Sequence, residues 1–233
     1  MKSHQKSIAA PASWPIKRKK QVFTIRPRPG AHTFEASMPV GTILKELLKF
    51  AKTTKEVKYM LSRGDVLVNQ KKRTDLKSTV GLMDVISFPK INTAYRMMIN
   101  VRGKMHLVQI NKEETEITLA KIENKQLLNT DLFQINLSQG RNFLADKEKQ
   151  KKYKTGDTIV FKLPEQTEIQ QLTFKKGAIG YLISGKNKGK TGKIQDITPE
   201  AITIETSEGT VQAPKKSVFI IGEEKQLIKT PTD

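Results

Sequence analysis

The chain has no cysteine among its 233 residues, and it has a single tryptophan and three histidines. Without thiols it cannot hold disulfide bonds, thiolate-bound zinc or a thiol nucleophile, which fits a reducing compartment. It also lacks any apolar run near the roughly 18 residues of a membrane span, and basic residues and prolines stand where a signal peptide needs an apolar core. We therefore expect a soluble, intracellular protein.

Residues suited to catalysis are also sparse. His4, His32 and His106 are far apart in the sequence, and no metal-binding or proton-relay partner stands beside any of them, so we expect surface, arm or hairpin positions. The acidic groups at residues 113–116 and 223–224 are typical of solvated faces rather than of an acid and base pair. The sequence predicts a protein that is not an enzyme, with no metal, cofactor or small-molecule substrate.

Positive charge dominates the composition and is unevenly placed. The chain has 42 Lys plus Arg against 23 Asp plus Glu, a net charge of +19 and a pI near 10.0. Residues 1–30 contain eight basic and no acidic residues, and residues 40–90 contain eleven against five. A pI above about 9 is typical of proteins that neutralise phosphates. Charge alone leaves a nucleic acid and an anionic membrane surface open as partners.

The first segment, residues 1–39, is predicted to be a basic N-terminal extension. It has four prolines within its first 30 residues and only scattered apolar side chains. Such a composition buries too little apolar surface to order itself, so we expect an extended arm that orders on a polyanion. Trp14 could stack on an unpaired base or pack on the next domain. The candidate RNA contacts of this arm are Lys17, Arg18, Lys19, Lys20, Arg26 and Arg28.

Residues 40–90 have the pattern of two short helices followed by a hairpin. Apolar residues recur at helical spacing over 42–51, and Thr53 stands three residues before Glu56, the spacing of a capping box that begins a second helix. Arg63 and Gly64 are expected to end that helix, whose start would offer N–H groups to a phosphate. Strands are predicted at 65–69 and 84–88, with a basic turn at 70–73.

This order of elements resembles the S4-type RNA-binding domain, also called the alpha-L fold. The resemblance rests on the runs Thr-Thr-Lys-Glu at 53–56, Arg-Gly-Asp-Val-Leu-Val-Asn at 63–69 and Asp-Val-Ile-Ser at 84–87. In such domains the RNA is held at the start of the second helix and around the following turn. The positions that match here are Lys52, Thr53, Lys55, Lys58, Arg63, Lys71, Lys72 and Arg73.

The next segment, residues 91–172, is predicted to be a central β-rich domain. Strand-like alternation covers 95–101, 105–110, 117–122, 132–137 and 158–163, and Arg102-Gly103-Lys104 is a hairpin signal. Thirteen basic residues face ten acidic ones, and no cluster of cations and aromatics marks a groove. We expect this domain to be mostly a scaffold with protein contacts.

The last segment, residues 173–233, places lysines between glycines in the run 185–193. Glycine lets the backbone approach a phosphate while the amines supply charge. A nucleotide-binding P-loop is disfavoured, because three rather than four residues separate Gly185 from Gly189 and a strand is predicted at 193–197. The run resembles a KOW motif in a small SH3-like barrel, with further strands at 201–205, 210–212 and 217–221. Its candidate RNA contacts are Lys186, Lys188, Lys190 and Lys193.

Taken together, the four segments resemble the S4e family of small-subunit ribosomal proteins of archaea and eukaryotes. The phrases Ala9-Ala10-Pro11, 81–87 and 218–222 also match that family, and the short tail after Gly222 favours its archaeal branch. The resemblance implies an α+β multidomain chain that binds small-subunit ribosomal RNA and neighbouring ribosomal proteins as a structural part of the cytoplasmic particle. The alternative is a KOW-containing transcription or RNA-processing factor that binds RNA and a protein machine.

Overall fold

The structure of the chain is a computed structural model that describes residues 4–128, 132–146, 152–198 and 201–231. All of the predicted RNA-binding residues fall in these ranges, whereas small parts of the predicted segments 1–39, 91–172 and 173–233 lie outside the described residues. The chain forms two compact units. The N-terminal unit comprises Met1–Met98 and Lys104–Glu116, and the C-terminal unit comprises Ile99–Gly103 and Ile117–Asp233. Each helix in the described ranges is too short or too polar to span a lipid bilayer.

The strands of the N-terminal unit are β1 (Gln5–Lys6), β2 (Phe23–Thr24), β3 (Ser37–Pro39), β4 (Leu67–Val68), β5 (Lys71–Lys72), β6 (Thr79–Gly81), β7 (Val85–Phe88), β8 (Thr93–Ile99) and β9 (Met105–Ile110). In this unit they form a five-stranded sheet of order β5-β4-β7-β8-β9 and two smaller strand pairs, β1-β2 and β3-β6. Its helices are α1 (Val40–Thr42), continued by the π-helix Ile43–Leu47, then α2 (Thr54–Arg63) and α3 (Lys112–Thr115).

The first helix begins and ends earlier than the predicted 42–51. Its buried Ile43 and Leu44 pack in one core with Ile86 of β7, as the apolar spacing predicts. The helix ends because the Leu48 N–H donates to the Ile43 carbonyl, a wider turn than an α-helix makes, and Lys49 then adopts a φ of 56°. A left-handed residue cannot continue a right-handed helix.

Helix α2 confirms the prediction at both ends. The Thr53 hydroxyl accepts the Glu56 N–H, and the Glu56 carboxylate accepts the Thr53 N–H, so the capping box is complete. At the other end Gly64 has a φ of 78°, and its N–H donates to the Leu61 and Met60 carbonyls. Val57 and Leu61 are buried in the core, which leaves the opposite face of the helix in solvent.

The prediction that the N-terminal segment is an extended arm is wrong for residues around Trp14. The Trp14 ring is 1% exposed, and its Nε1–H donates to the Ser37 carbonyl at 2.7 Å. The Arg18 guanidinium holds the preceding chain in place by donating to the carbonyls of Ile8, Ala10 and Pro11. The buried ring of Trp14 and the hydrogen bonds of the Arg18 guanidinium therefore order a segment whose average composition favours disorder.

Strands β8 and β9, which fall in the predicted central segment 91–172, belong to the N-terminal sheet. Strand β7 pairs with β8 from Val85↔Arg96 to Phe88↔Thr93, and β9 follows β8 in the sheet. The bounds of β9 confirm the predicted strand at 105–110. The division of the chain into four segments stays a prediction.

The strands of the C-terminal unit are β10 (Ile117–Leu127), β11 (Leu132–Leu137), β12 (Asn142–Asp146), β13 (Thr158–Lys162), β14 (Thr167–Leu172), β15 (Ile179–Leu182), β16 (Thr191–Ile197), β17 (Ile202–Thr206), β18 (Gly209–Ala213) and β19 (Val218–Gly222). In the described part of this unit they form two five-stranded antiparallel sheets, of order β12-β11-β10-β13-β14 and β18-β17-β16-β15-β19. Sequence periodicity does not predict β12 and β14, which form the two edges of the first sheet.

Lys121 of β10 joins the two sheets of the C-terminal unit. Its ammonium donates to the carbonyls of Lys215 at 3.0 Å, Lys216 at 3.1 Å and Val218 at 2.6 Å. Burial lowers the pKa of Lys121 to about 8. The three carbonyls belong to a 3-10 turn, Lys215–Ser217, and to the strand that follows it, so the lysine fixes the position of that turn.

Candidate nucleic-acid interface

The start of helix α2 is already occupied by its own carboxylate. The Lys52 N–H donates to Glu56 Oε2 at 2.7 Å, and the Thr53 N–H donates to the same oxygen at 3.4 Å. The hydrogen bond from the Lys52 N–H, followed by that from the Thr53 hydroxyl, holds the pKa of Glu56 below its ordinary value. The carboxylate is therefore ionised at neutral pH, and it takes N–H groups that the sequence pattern offers to a phosphate.

The solvent face of α2 carries cations and one aromatic ring. Lys55, Lys58, Tyr59 and Arg63 are all exposed, and residues 55, 59 and 63 follow one another at intervals of one turn. Among the described residues, neither of these two lysines has an acidic partner. Tyr59 is not among the contacts predicted from the sequence, although its four-residue spacing from Lys55 and Arg63 places the three residues on one stripe of the helix.

The hairpin of β4 and β5 places its lysines beside the end of α2. Asn69 and Gln70 form the turn with φ values of 51° and 60°, so Lys71 and Lys72 lie in a strand rather than in the predicted basic turn. The aliphatic stem of Lys72 covers Gly64, where a Cβ atom would lie 2.8 Å from the Lys72 Cε. A lysine in this place also complements the negative end of the helix dipole.

A buried carboxylate fixes the geometry of this turn. Asp84 Oδ1 accepts a hydrogen bond from the Asn69 side chain at 2.7 Å, and Asp84 Oδ2 lies 2.7 Å from His32 Nε2. Burial alone would raise the pKa of Asp84, but the contact with His32 and the bonds from Gly81 N–H and Asn69 hold it below its ordinary value. Asp84 is therefore an anion that holds the side chain of Asn69, the first of the two left-handed residues of the hairpin.

We name the exposed side chains of α2 and of the adjoining hairpin the helix–hairpin surface. The hairpin adjoins the C-terminal end of α2, where the Lys72 stem covers Gly64, whereas Lys52 and Thr53 stand at the other end of this 10-residue helix, about 15 Å away. The members of the surface are Lys52, Thr53, Lys55, Lys58, Tyr59, Arg63, Lys71, Lys72 and Arg73.

The predicted arm residues differ in how far they are available. Lys17, Lys19 and Lys20 project from the surface, whereas the Arg18 guanidinium is occupied by the three carbonyls described above. Arg28 forms an ion pair with Asp75 at 2.8 Å. Arg26 is half-buried and lines an open cleft of about 650 Å³ together with Arg28, Phe34 and Lys77.

Residues 185–190 form the lysine–glycine loop of the C-terminal unit. The loop is closed by the bonds from the Gly189 N–H to the Leu182 carbonyl and from the Leu182 N–H to the Lys190 carbonyl. Gly189 has a φ of 85°, and a Cβ atom there would lie 2.4 Å from the Asn100 carbonyl. Glycine is required at this position by both its conformation and its close packing.

The four predicted lysines of this region are not equivalent. Lys186 and Lys193 are exposed, whereas the Lys188 stem packs over Gly103. Lys190 forms an ion pair with Glu208 at 2.6 Å, and its side chain is 17% exposed. Two of the four cations are therefore freely presented to solvent.

The lysine–glycine loop is anchored on both sides. The buried Tyr181 hydroxyl donates to the Ile99 carbonyl and accepts the Ile99 N–H at 2.9 Å, and burial raises the pKa of Tyr181 to about 12. On the other side the Ile183 N–H donates to the Ser217 carbonyl, and the Ser184 and Ser217 hydroxyls lie 2.7 Å apart. Lys121 bonds to the Lys215–Ser217 turn, and Ser217 of that turn contacts Ile183 and Ser184 next to the loop, so Lys121 supports the loop indirectly through this turn.

No group of three His, Asp or Glu side chains within the described ranges could hold a metal ion. Both units present exposed lysines on scaffolds that are mostly β-strand. Lysines clustered on one face are typical of proteins that bind nucleic acids.

Comparison with known proteins identifies the family. The model of the Ribosomal family S4e matches residues 91–168, and the RS4NT (NUC023) domain matches residues 1–35. The small ribosomal subunit protein eS4 of Methanocella arvoryzae is 37% identical over 233 residues, covering 97% of both chains. The eS4 protein of Methanocaldococcus jannaschii is 36% identical over 239 residues, covering 98% of this chain and 97% of its own. The chain therefore belongs to the S4e family of ribosomal proteins, as its sequence pattern predicts.

A solved structure agrees with this assignment. The crystal structure of the 30S ribosomal protein S4e from Thermoplasma acidophilum has a TM-score of 0.70 to this chain at 26% sequence identity. The match covers 81% of this chain and 96% of that one.

Proposed function

We propose that this protein is a structural constituent of the small ribosomal subunit that binds small-subunit ribosomal RNA. Its place would be the cytoplasmic particle, its partners the RNA and neighbouring ribosomal proteins, and its role would require no catalysis, cofactor or metal. Membership of the S4e family supports the place in the small ribosomal subunit. The RNA contact is supported by cations of the helix–hairpin surface, since among the described residues Lys55, Lys58 and Lys71 have no acidic partner. We assign residues 40–90 to an S4-type RNA-binding domain on the same grounds.

The helix–hairpin surface is the main contact in this proposal. It is supported by the way in which α2 and the hairpin meet at Gly64, with the Lys72 stem against the helix end. Phosphate contacts by such side chains fix the position of a protein on RNA and make its affinity depend on salt. The N-terminal segment and the lysine–glycine loop add further contacts, the latter within a KOW barrel at residues 173–233.

Replacement of Lys71, Lys72 and Arg73 by alanine tests this surface. Removal of each cation that binds a phosphate should lower the slope of log affinity against log salt by about 0.7 to 0.9, so the triple variant should show a slope about two to three units smaller. Affinity for a small-subunit rRNA transcript is measured by filter binding at several KCl concentrations. Unchanged affinity and slope in a folded triple variant would place the RNA site elsewhere.

Sedimentation of cell extracts in gradients of high magnesium separates this function from that of a transcription or RNA-processing factor. We expect the protein in the small subunit at one copy per particle. Its absence from all ribosomal fractions, together with its presence in a polymerase or nuclease complex, would favour the second function.

A further inference from the structure

Tyr59 is an exposed aromatic residue that internal packing does not explain. Its side chain is 61% exposed, more than the rings of Phe23, Phe34 and Phe50. Each of those three phenylalanines contacts another ring of the protein at a centroid distance of 5.0 to 6.0 Å. Within the described residues, no such ring contact exists for Tyr59. The ring therefore stands in solvent on the helix–hairpin surface.

Arg63 holds the Tyr59 ring in one orientation. The guanidinium carbon lies 5.3 Å from the ring centroid, and Nη1–H donates to the Tyr59 hydroxyl at 2.9 Å. Since the two residues are one turn apart on α2, both contacts form without distortion of the helix. A ring that is already ordered loses less conformational entropy when it binds a partner. One guanidinium can cover only one side of a ring, so the other side remains available.

The surroundings of Tyr59 are cationic. Lys55 lies one turn before it, Lys58 is its neighbour in sequence, and the Lys72 stem reaches the end of the same helix at Gly64. An exposed aromatic face among cations is the arrangement by which proteins stack an unpaired base while binding the adjoining phosphates. A fully base-paired RNA helix would offer only its backbone to such a surface, because its bases are already stacked on one another.

We propose that Tyr59, positioned by Arg63, is a stacking platform for one unpaired nucleotide of the bound RNA. This inference rests on the proposed RNA-binding function, and it specifies the RNA class: a bulge, junction or loop rather than an uninterrupted duplex. An acidic peptide that used the same ring and cations would be a different partner, which the experiment below separates from RNA.

The experiment compares two RNA hairpins that differ by a bulge. One hairpin is fully paired, and the other carries three unpaired uridines in the same stem. Binding of the full chain is measured by fluorescence anisotropy over a range of KCl concentrations. Tyr59→Leu should weaken binding of the bulged hairpin about tenfold, the size expected for one base stack, and leave the paired hairpin almost unchanged. The salt slope should not change, because no cation is removed.

Three further variants serve as controls. Tyr59→Phe keeps the ring and should keep most of the preference for the bulge. Ile169→Ala removes another exposed apolar side chain, 54% exposed on β14, and should affect neither hairpin. Lys58→Ala should weaken both hairpins and lower the slope. In addition, 5-iodouridine in the bulge should crosslink to the peptide that contains Tyr59 on irradiation.

The outcomes separate the two proposals. If Tyr59→Leu binds both hairpins like the wild type while Lys58→Ala weakens both, the stacking inference fails and the RNA-binding function stands. If neither variant changes the binding of either hairpin, both proposals fail at this surface. If Tyr59→Leu weakens both hairpins equally, the ring supports the surface without reading an unpaired base, and the inference fails. A loss of affinity for a poly-glutamate peptide in Tyr59→Leu, with both hairpins bound as before, would assign the ring to a protein partner and also overturn it.

Discussion

The helix–hairpin surface of the N-terminal unit and the lysine–glycine loop of the C-terminal unit hold their cations by different means. On α2 and β5 the lysines project from regular elements, and among the described residues none of Lys55, Lys58 and Lys71 has an acidic partner. In the loop, Lys190 is paired with Glu208 and Lys188 is packed over Gly103. Within the described ranges the side chains of these three lysines form no hydrogen bond or ion pair, whereas Lys188 and Lys190 take part in holding the shape of the loop region.

The two regions also rest on different buried groups. A carboxylate, Asp84, orders the turn of the hairpin, and an ammonium, Lys121, supports the turn below the loop. Both groups are buried, and both are satisfied by hydrogen bonds. Disruption of each support is therefore expected to damage one surface and to spare the other.

The largest effect is expected from Asp84→Ala. The variant removes the buried acceptor of the Asn69 side-chain amide and of the Gly81 N–H, and each buried donor left without a partner costs about 1 to 3 kcal/mol. Asp65→Ala is the matched control, because its ion pair with Lys90 is partly exposed and such pairs contribute less than about 1 kcal/mol. Urea unfolding followed by the fluorescence of Trp14, which lies in the N-terminal unit, measures both. A destabilisation of similar size in the two variants would contradict the role of Asp84.

The lowered pKa of Asp84 predicts that the free energy of unfolding depends on pH in the acid range. The pKa of Asp84 in the folded chain lies below its ordinary value of 3.8, so the unfolded chain binds the proton more readily. The stabilisation is fully present above pH 3.8 and is lost as the pH falls through the lowered folded pKa. The difference in unfolding free energy between the wild type and Asp84→Ala, measured by urea unfolding, should therefore shrink as the pH is lowered below 3.8.

The second effect concerns the glycines of the lysine–glycine loop. Gly185 and Gly189 both have a positive φ, but a Cβ atom on Gly185 meets nothing within 4 Å, whereas one on Gly189 meets the Asn100 carbonyl. Gly185→Ala should cost roughly 1 to 2 kcal/mol of local conformational energy. Gly189→Ala should add about 1 to 3 kcal/mol for crowding. Hydrogen exchange of the Leu182 amide reports on the loop, and equal protection in the two variants would remove the argument from close packing.

Local patterns predicted the parts of the structure that depend on neighbours in the sequence. The capping box of Thr53 and Glu56, the end of α2 at Gly64 and strand β9 follow from spacing within a few residues. The β12 and β14 strands were missed because they are edges, where partly exposed residues weaken the alternation.

The remaining errors arise from contacts over long sequence separations. The N-terminal segment is ordered because Trp14 bonds to Ser37, and composition carries no information about such a pair. Lysine and glycine in the C-terminal loop indicate the kind of contact, but the pairing of Lys190 with a glutamate 18 residues later depends on how β16, β17 and β18 align. The sequence therefore predicts which segments are basic better than which cations are available.

The smallest expected effect separates the two surfaces by salt dependence. Lys58→Ala removes a cation that has no acidic partner in the described part of the chain, so the slope of log affinity against log salt for a small-subunit rRNA transcript should fall by about 0.7 to 0.9. Lys190→Ala should change the slope much less, because Glu208 already neutralises that ammonium. Glu208→Gln is the converse control: it releases Lys190 and should strengthen binding and steepen the slope. Equal slope changes for Lys58→Ala and Lys190→Ala would mean that bound RNA displaces the Glu208 carboxylate from Lys190. The availability of cations on the two surfaces would then differ only in the protein without RNA.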